Sequence, residues 1–543
     1  MSHVNGVFVF FVDQTSNPNN ITFYLDTLEY QVNYQVEGPS RVQVLKLGNG
    51  NWQLLVDNKP YIIKGVAYGA TKVGQSPDLC TLADWMQEDS NKNGKPDGPY
   101  DSWVDNNSNN IQDPEEQMVG DFKLLKDMGV NTIRLYHHAS NKPLLLDLYK
   151  NYGIRVIMGD LLGMYGIGSG ATLENGTDYT NPEHQKNMLK SVTEMVTEFK
   201  DEPYILIWIL GNENTLGVAN NANEKPEAYY KFVNKVAKEI KKIDKNHPVA
   251  ISNLDLDNLD NFSKYCPEVD IFGVNAYRGE NGFGDLWEQV KNTTDKPVLI
   301  TEYGCHAYNN TSLEIGEENQ KEYHLGNWRD IQNNRDDKGS GNAIGGVIFE
   351  WMDEWWKAGP QYDPYQHDKV CTSPGPFPEG CGYDEWFGIS GQGNGNNSPY
   401  LRYLRETYSL YKELWNKPFA FGTFFPENPV VNQIITFNAS DSYDSDGYIV
   451  KYEWNFGDGT NETGIIVNHS YSSVGNYMVT LTVTDNDGAK DTYSFNLDPF
   501  VIGDFNGNGR VDIGDATYVA YMVVGKVPAN LEADFNNNGK VDI

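Results

Sequence analysis

The sequence predicts an α/β fold: a (β/α)8 TIM barrel with an N-terminal β segment, followed by a β-sandwich and a partial calcium-binding module. Three observations carry this. Eight short apolar runs without polar alternation recur between residues 63 and 349, the pattern of strands buried on both faces. Amphipathic segments separate them; in 182–200, Met188, Val192, Met195, Val196 and Phe199 mark one helical face. After Trp415 the texture changes to strand and turn alone. With 543 residues, the chain has room for two to four domains at roughly 100–200 residues each.

Residues 1–40 read as a β segment, with two alternating strands over 6–36 split by Ser16-Asn-Pro-Asn-Asn20. Ile21–Asp26 is similar to the last strand of a carbohydrate-binding jelly roll. Two strands do not close a sandwich, so a remnant or an added edge is expected. The barrel domain is expected over 41–417. It opens with hairpins over 41–63, turning at Gly48-Asn-Gly50 and Asp57-Asn-Lys-Pro60. Its strands are expected at Ile63–Tyr68, Thr132–Tyr136, Arg155–Gly159, Ile205–Leu210, Val249–Ser252, Ile271–Val274, Val298–Thr301 and Gly345–Phe349. Helices are expected near 116–129, 142–152, 182–200, 226–242, 318–333 and 400–413. A doubly wound open sheet is the alternative, but no Gly-rich phosphate fingerprint follows the first strand. Residues 423–498 read as a β-sandwich and 500–543 as the calcium-binding module.

Lys and Arg number 42 against 75 Asp and Glu, a net charge of -33. Nucleic acid and anionic membranes call for basic patches, so neither is an expected partner. No run approaches the ~20 apolar residues of a membrane span. The opening Gly6–Val12 is too short and too poorly led for a signal peptide, so none is visible. Aromatic residues make up 13%, which suits stacking on sugar rings. Cys371 and Cys381 bracket one Pro/Gly-rich stretch, and both a loop-closing disulfide and idle thiols stay open. Asn-x-Ser/Thr sequons at Asn20, Asn175, Asn292, Asn310, Asn438, Asn461 and Asn468 add weak support for export.

Three loops carry oxygen ligands at calcium spacing. Asp504, Asn506, Asn508, Arg510 (through its carbonyl), Asp512 and Asp515 occupy positions 1, 3, 5, 7, 9 and 12, with Gly509 at 6. Asp105, Asn107, Asn109, Ile111 (through its carbonyl), Asp113 and Glu116 repeat this, with Asn110 where Gly is usual. Asp89, Asn91, Asn93 and Asp97 match through position 9, and Asp101 falls one place late. The bland alternative is a solvated polar loop; two such runs favour structural Ca2+ pinning a long loop near the barrel mouth. No catalytic cofactor is implied. Two carboxylates stand where barrel active sites lie, at strand C-termini. Glu213 follows the fourth strand, Ile205–Leu210, and Glu302 ends the seventh. Either Glu alone reads equally as a salt-bridged loop acid; the pair points to acid–base and nucleophilic chemistry.

The motifs resemble known families. Leu210-Gly-Asn-Glu213 and Ile300-Thr-Glu-Tyr-Gly304 resemble the acid/base and nucleophile signatures of clan A retaining glycoside hydrolases. Leu54–Tyr68 resembles the entry to the family 2 barrel. Gly129-Val-Asn-Thr-Ile-Arg-Leu-Tyr136 is similar to second strands of families 2 and 72. Phe272-Gly-Val-Asn-Ala-Tyr277 and Thr301-Glu-Tyr-Gly-Cys305 lean toward family 72, the β-1,3-glucanosyltransferases. The resemblance spans about residues 50–415. It implies Glu213 as acid/base, Glu302 as nucleophile, Arg134 holding that nucleophile, Asn212 on the sugar 2-hydroxyl and Tyr277 donating to Glu302. It also implies Trp351 stacking under the −1 sugar, with His137 and His138 lining the same subsite; a lone His more often has a structural role. Glu350, Asp353, Glu354, Trp355 and Trp356 read as sugar contacts or as a solvated rim.

Downstream, Asp441–Gly447, Tyr452-Glu-Trp-Asn-Phe-Gly-Asp-Gly459 and Gly475–Asp485 resemble PKD domains, usually spacers in secreted and cell-surface proteins. The loop at 504–515 and its partial repeat at Asp534–Asp542 resemble a type I dockerin, truncated in its second repeat. A cohesin-bearing scaffold is a partner if that dockerin is complete.

These readings predict a secreted or cell-surface retaining β-glycoside hydrolase acting on a carbohydrate, with a β-glucan as first substrate. A β-glucan transglycosylase and a non-catalytic carbohydrate-binding or scaffold protein are the alternatives.

Overall fold

The structure, a computed structural model, describes residues 38–309, 314–336, 338–359, 361–444, 448–486, 488–501, 503–504, 509–523 and 526. The strands expected over 6–36, Asn506, Asn508 and the second dockerin loop lie outside the described residues.

Eight parallel strands form the barrel: β1 (Ile63–Ala67), β2 (Thr132–Leu135), β3 (Arg155–Asp160), β4 (Ile205–Leu210), β5 (Val249–Ile251), β6 (Phe272–Asn275), β7 (Val298–Tyr303) and β8 (Ala343–Ile348). The fifth strand is broken at Ser252. Val249–Ile251 pairs with β4, whereas Asn253–Leu254 pairs with β6, and an Ala250–Ile271 bridge closes the circle. All six residues of β4 are buried, as a strand covered on both faces requires. Ile157, Ile207, Ile209, Leu299 and Val347 share the interior cluster. Val42, Leu54 and Val56 of the preceding antiparallel strands (Val42–Lys46, Trp52–Val56, Lys59–Pro60) join it. Hydrogen bonds from Ser40 to Pro203 and from Val42 to Asn246 set this small sheet beside the N-terminal ends of β4 and β5.

The outer helices bury the faces their periodicity marks. In Pro182–Phe199, Met188, Val192, Met195, Val196 and Phe199 face the sheet, and Asn181 caps the start by accepting from the Glu183 and His184 amides. Two expected helices are shorter. The one near 116–129 runs only over Asp121–Met128, because Gly120 at φ 81 ends the preceding loop. The one near 400–413 begins at Glu406, because Leu401–Leu404 is a strand paired with Ser390–Gly391 and Trp103–Val104. Leu259–Tyr265 and Leu286–Thr293 are helices the sequence reading left out. Buried Asp121 joins these parts: Arg402 donates to its two oxygens at 2.7 Å each, and Ser102 and Tyr68 donate at 2.9 Å each.

Residues 423–497 form the expected sandwich of a three-stranded and a four-stranded sheet around Phe437, Trp454, Phe456, Val479, Leu481 and Val483. The Trp454 indole N–H donates to the Gly464 carbonyl at 3.1 Å. In the dockerin-like loop, the Gly509 amide donates to Asp504 at 2.6 Å and the Asp512 amide to Asp515 at 2.7 Å; the helix Ile513–Val523 follows. Among the described residues, no helix is long and apolar enough to cross a membrane.

Candidate active site

Glu302, on β7, is 5% exposed. Arg134 of β2 donates to its Oε1 at 3.0 Å, Tyr136 to the same oxygen at 2.7 Å, and Tyr277, just past β6, to Oε2 at 2.9 Å. Arg134 is wholly buried and also donates to the Thr301 carbonyl (2.7 Å), Asn212 Oδ1 (2.8 Å) and Ser252 Oγ (3.0 Å). Its guanidinium lies 4.3 Å from the Tyr136 ring centre. A buried arginine with so many acceptors is a fixed frame. Burial first, then the charge of Glu302, pushes the Tyr136 and Tyr277 hydroxyls well up, which keeps both as donors.

Glu213 lies beyond β4 on a strained turn, at φ 51. Asn214 holds that turn. Its Oδ1 accepts from the Asn212 amide at 2.8 Å, and its Nδ2 donates to the Leu161 carbonyl and the Tyr179 hydroxyl. Gly211 lies at φ 73, and a Cβ there would meet Asn214 Oδ1 at 2.4 Å, so the turn requires glycine. The Glu213 carboxyl is pushed up to about 7, first by burial and then by the charge of Glu302; a hydrogen bond from Asn275 and the charge of Arg134 pull the other way. Asn212 Oδ1 collects Arg134, Asn275 and Ser252, which leaves its amide N–H2 for a ligand.

The expected cluster of Arg134, Asn212, Tyr277 and Glu302 thus assembles, with Glu213 electrostatically coupled to Glu302. Tyr136, Ser252, Asn275 and Asn214 are additions. Tyr136 was legible: it lies two residues beyond Arg134, and so on the same face of an extended chain.

Trp351 is a correction. It is 0% exposed, with its ring centre 6.3 Å from that of Tyr408, in the core outside the barrel, so no sugar reaches it. Phe349, just past β8, is half-buried with its ring edge-on to Tyr277 at 6.4 Å. Lys357 lies 4.0 Å from the Phe349 ring centre and is bonded to Glu350 and Glu354 at 2.8 Å each. Burial and the neighbouring Glu354 push the Glu350 carboxyl well up. Asp353 is fully buried and paired with Arg405, so it is no sugar contact. His137 is half-buried and stacked on His138 at 4.4 Å; His138 bonds Asp160 at 2.8 Å. The ligating atoms of these three lie within 4.8 Å of one another, but the His138–Asp160–Ser191 hydrogen bonds already account for the buried carboxylate.

Both calcium-type loops converge on a carboxylate. In the second, Asp113 Oδ2 accepts from the Asn107 and Asn109 amides at 2.7 and 2.9 Å. Glu116 accepts from the Asn106 and Asp113 amides, and Asn110 adopts φ 60 in place of the missing glycine. In the first, Asp101 Oδ2 accepts from Asn91 and Asn93 at 2.7 Å each. Asp97 turns instead to the Ser90 amide, the place Glu116 holds in the second loop. Spacing alone therefore exchanged the two aspartates. The carboxylates and Asn side chains gathered in each loop carry hard oxygen donors, so the residue set fits a hard cation. Cys371 and Cys381 form a disulfide with Cα atoms 5.7 Å apart.

Residues 110–354 match the glycosyl hydrolases family 2 TIM-barrel domain, and residues 416–498 match the PKD domain. A β-galactosidase of Psychromonas ingrahamii is 35% identical over 107 residues, 20% of this chain and 10% of that protein. Mouse β-glucuronidase is 27% identical over 252 residues, 44% of this chain and 35% of that one. A solved β-D-glucuronidase of Dictyoglomus thermophilum is 19% identical with a TM-score of 0.45, covering 70% of this chain and 54% of that one. The chain thus spans about a third of the mouse enzyme and a tenth of the β-galactosidase. It carries a glycosyl hydrolase family 2 TIM-barrel domain with a PKD domain behind it.

Proposed function

We propose that the chain is a secreted, retaining O-glycosyl hydrolase that cleaves β-glycosidic bonds through a glycosyl-enzyme intermediate. The observation that carries the reading is the pairing of a carboxylate held by three donors, Glu302, with a carboxyl whose proton is kept to about pH 7, Glu213. Glu302 attacks the anomeric carbon while Glu213 gives its proton to the departing oxygen. The resulting ester removes the charge on Glu302, so the Glu213 proton affinity falls; its carboxylate takes a proton from the water that attacks the anomeric carbon, and the bond to Glu302 breaks. The Asn212 amide is placed to hold the 2-hydroxyl.

The substrate we infer is a neutral β-glucan. The names of the relatives point to glucuronides and galactosides. In this chain, however, Lys357 is committed to two glutamates and Arg134 to Glu302, which disfavours a further carboxylate at the mouth. Ca2+ at the two insertion loops and the dockerin-like loop is a structural proposal, as is docking of a complete dockerin on cohesin.

Azide tests the assignment. Glu302→Ala is expected to be dead but rescued by azide as the inverted glycosyl azide. Glu213→Ala is expected to turn over substrates with good leaving groups and give the retained azide. NMR showing inverted sugar product from the unmodified protein would sink the mechanism.

A further inference from the structure

Resting on that reading, we propose that Tyr165 is the platform on which the leaving-group sugar lies, and on which an acceptor sugar lies when it replaces water. The loop after β3 carries Tyr165 at φ 55, a strained position for a bulky side chain, yet the residue is 46% exposed. Core packing does not hold it there. The backbone does: the Tyr165 amide donates to the Val218 carbonyl at 3.2 Å, five residues beyond Glu213. A Thr177–Asn220 bridge fastens the same two loops a second time. Leu216, 53% exposed, stands on the intervening turn.

Burial first, then the charge of Glu213, pushes the Tyr165 hydroxyl up, with Lys357 opposing. The Val218 bond and the Thr177–Asn220 bridge set Tyr165 beside the turn that carries Glu213. In double displacement, the acid/base faces the departing oxygen and the nucleophile faces the anomeric carbon's other side. A ring on the Glu213 side is thus beside the leaving group. An exposed aromatic face with apolar neighbours fits the apolar face of a pyranose.

The test compares Tyr165→Ala and Tyr165→Phe with the unmodified full chain on two probes, β-glucosyl fluoride and a β-1,3-glucan trisaccharide. Fluoride fills no leaving-group subsite, so it reports the catalytic pair and the integrity of the fold. The Ala variant is expected to lower kcat/KM on the trisaccharide about tenfold relative to its change on the fluoride. It is also expected to reduce the share of transfer products at high acceptor concentration. Tyr165→Phe, which keeps the ring, is expected to restore both. Equal changes on the two probes, or no rescue by Phe, overturn the platform while leaving the glycosidase reading in place. An unmodified chain inert on both probes overturns both.

Discussion

Replacing Glu302 by Gln keeps the shape of the nucleophile and removes its charge, which is also what glycosylation does. In the unmodified protein, burial and the Glu302 charge together lift Glu213 from 4.5 to about 7. That lift corresponds to about 3 kcal/mol. Burial contributes more than the charge, and Asn275 and Arg134 oppose both. Glu302→Gln is therefore expected to bring Glu213 down by part of that lift, with burial still holding it above 4.5. Infrared difference titration of the carboxyl band, with Glu302→Gln/Glu213→Gln as blank, reads this directly. In the active protein the same group gives the basic limb of kcat/KM, which falls as pH rises through about 7. Stability follows the same sign: folded Glu213 keeps its proton above the unfolded value of 4.5, so its contribution is full below 4.5 and is lost as pH rises through 7. A Glu213 that titrates near 4.5, or one unmoved by Glu302→Gln, would refute the electrostatic coupling and with it the change of role from acid to base.

Arg134→Met strands the acceptors on Glu302, Asn212, Ser252 and Thr301; a loss of about 10²–10³ in kcat and about 3–5 kcal/mol in stability is expected from kinetics and urea melts. Asp121→Ala leaves Arg402 buried without its carboxylate and is expected to cost about 3–5 kcal/mol, with kcat for the surviving folded fraction little changed. Calcium at a hundredfold excess over Kd is expected to add about 2.7 kcal/mol, so EGTA lowers the melting temperature of the barrel, and Asp101→Ala with Asp113→Ala removes the effect. A melting curve indifferent to EGTA would leave the loops as polar surface.

The eight strands were legible because a strand buried on both faces has no polar alternation to confuse, and each observed strand lies within two residues of its expected bounds. Glu213 and Glu302 were legible because an acid directly after an apolar run has few places to go except a mouth. Ser252 and Asn275 were not, since their role exists only once β5, β6 and β7 bring them around Arg134. The aspartates of the first calcium-type loop were exchanged because position counting assumes a fixed loop path. Pro96 and the short helix Asp97–Asp101 alter that path, so Asp101 reaches the point that Asp113 occupies in the second loop.

Trp351 shows where such reasoning fails for a physical cause. The family resemblance puts a stacking aromatic just after β8, and Phe349 and Trp351 both stand there, two residues apart and so on one face for as long as the strand continues. Alternation holds only while the ladder continues, and β8 ends at Ile348. Beyond it each residue bonds a different partner: the Phe349 amide bonds the Tyr303 carbonyl, Glu350 that of Phe387 and Trp351 that of Ala67. The Glu350 bond to Phe387, outside the barrel strands, marks the break in the ladder. Phe349 stays at the mouth beside Tyr277, whereas Trp351 turns out into the core against Tyr408. The consequence reaches the site. Phe349→Ala is expected to raise KM for glycan by about tenfold with the fold intact, because a partly exposed ring is lost. Trp351→Ala is expected to cost about 3–5 kcal/mol of stability, because a fully buried one is removed. A Trp351→Ala protein of normal stability and raised KM would return the platform to Trp351.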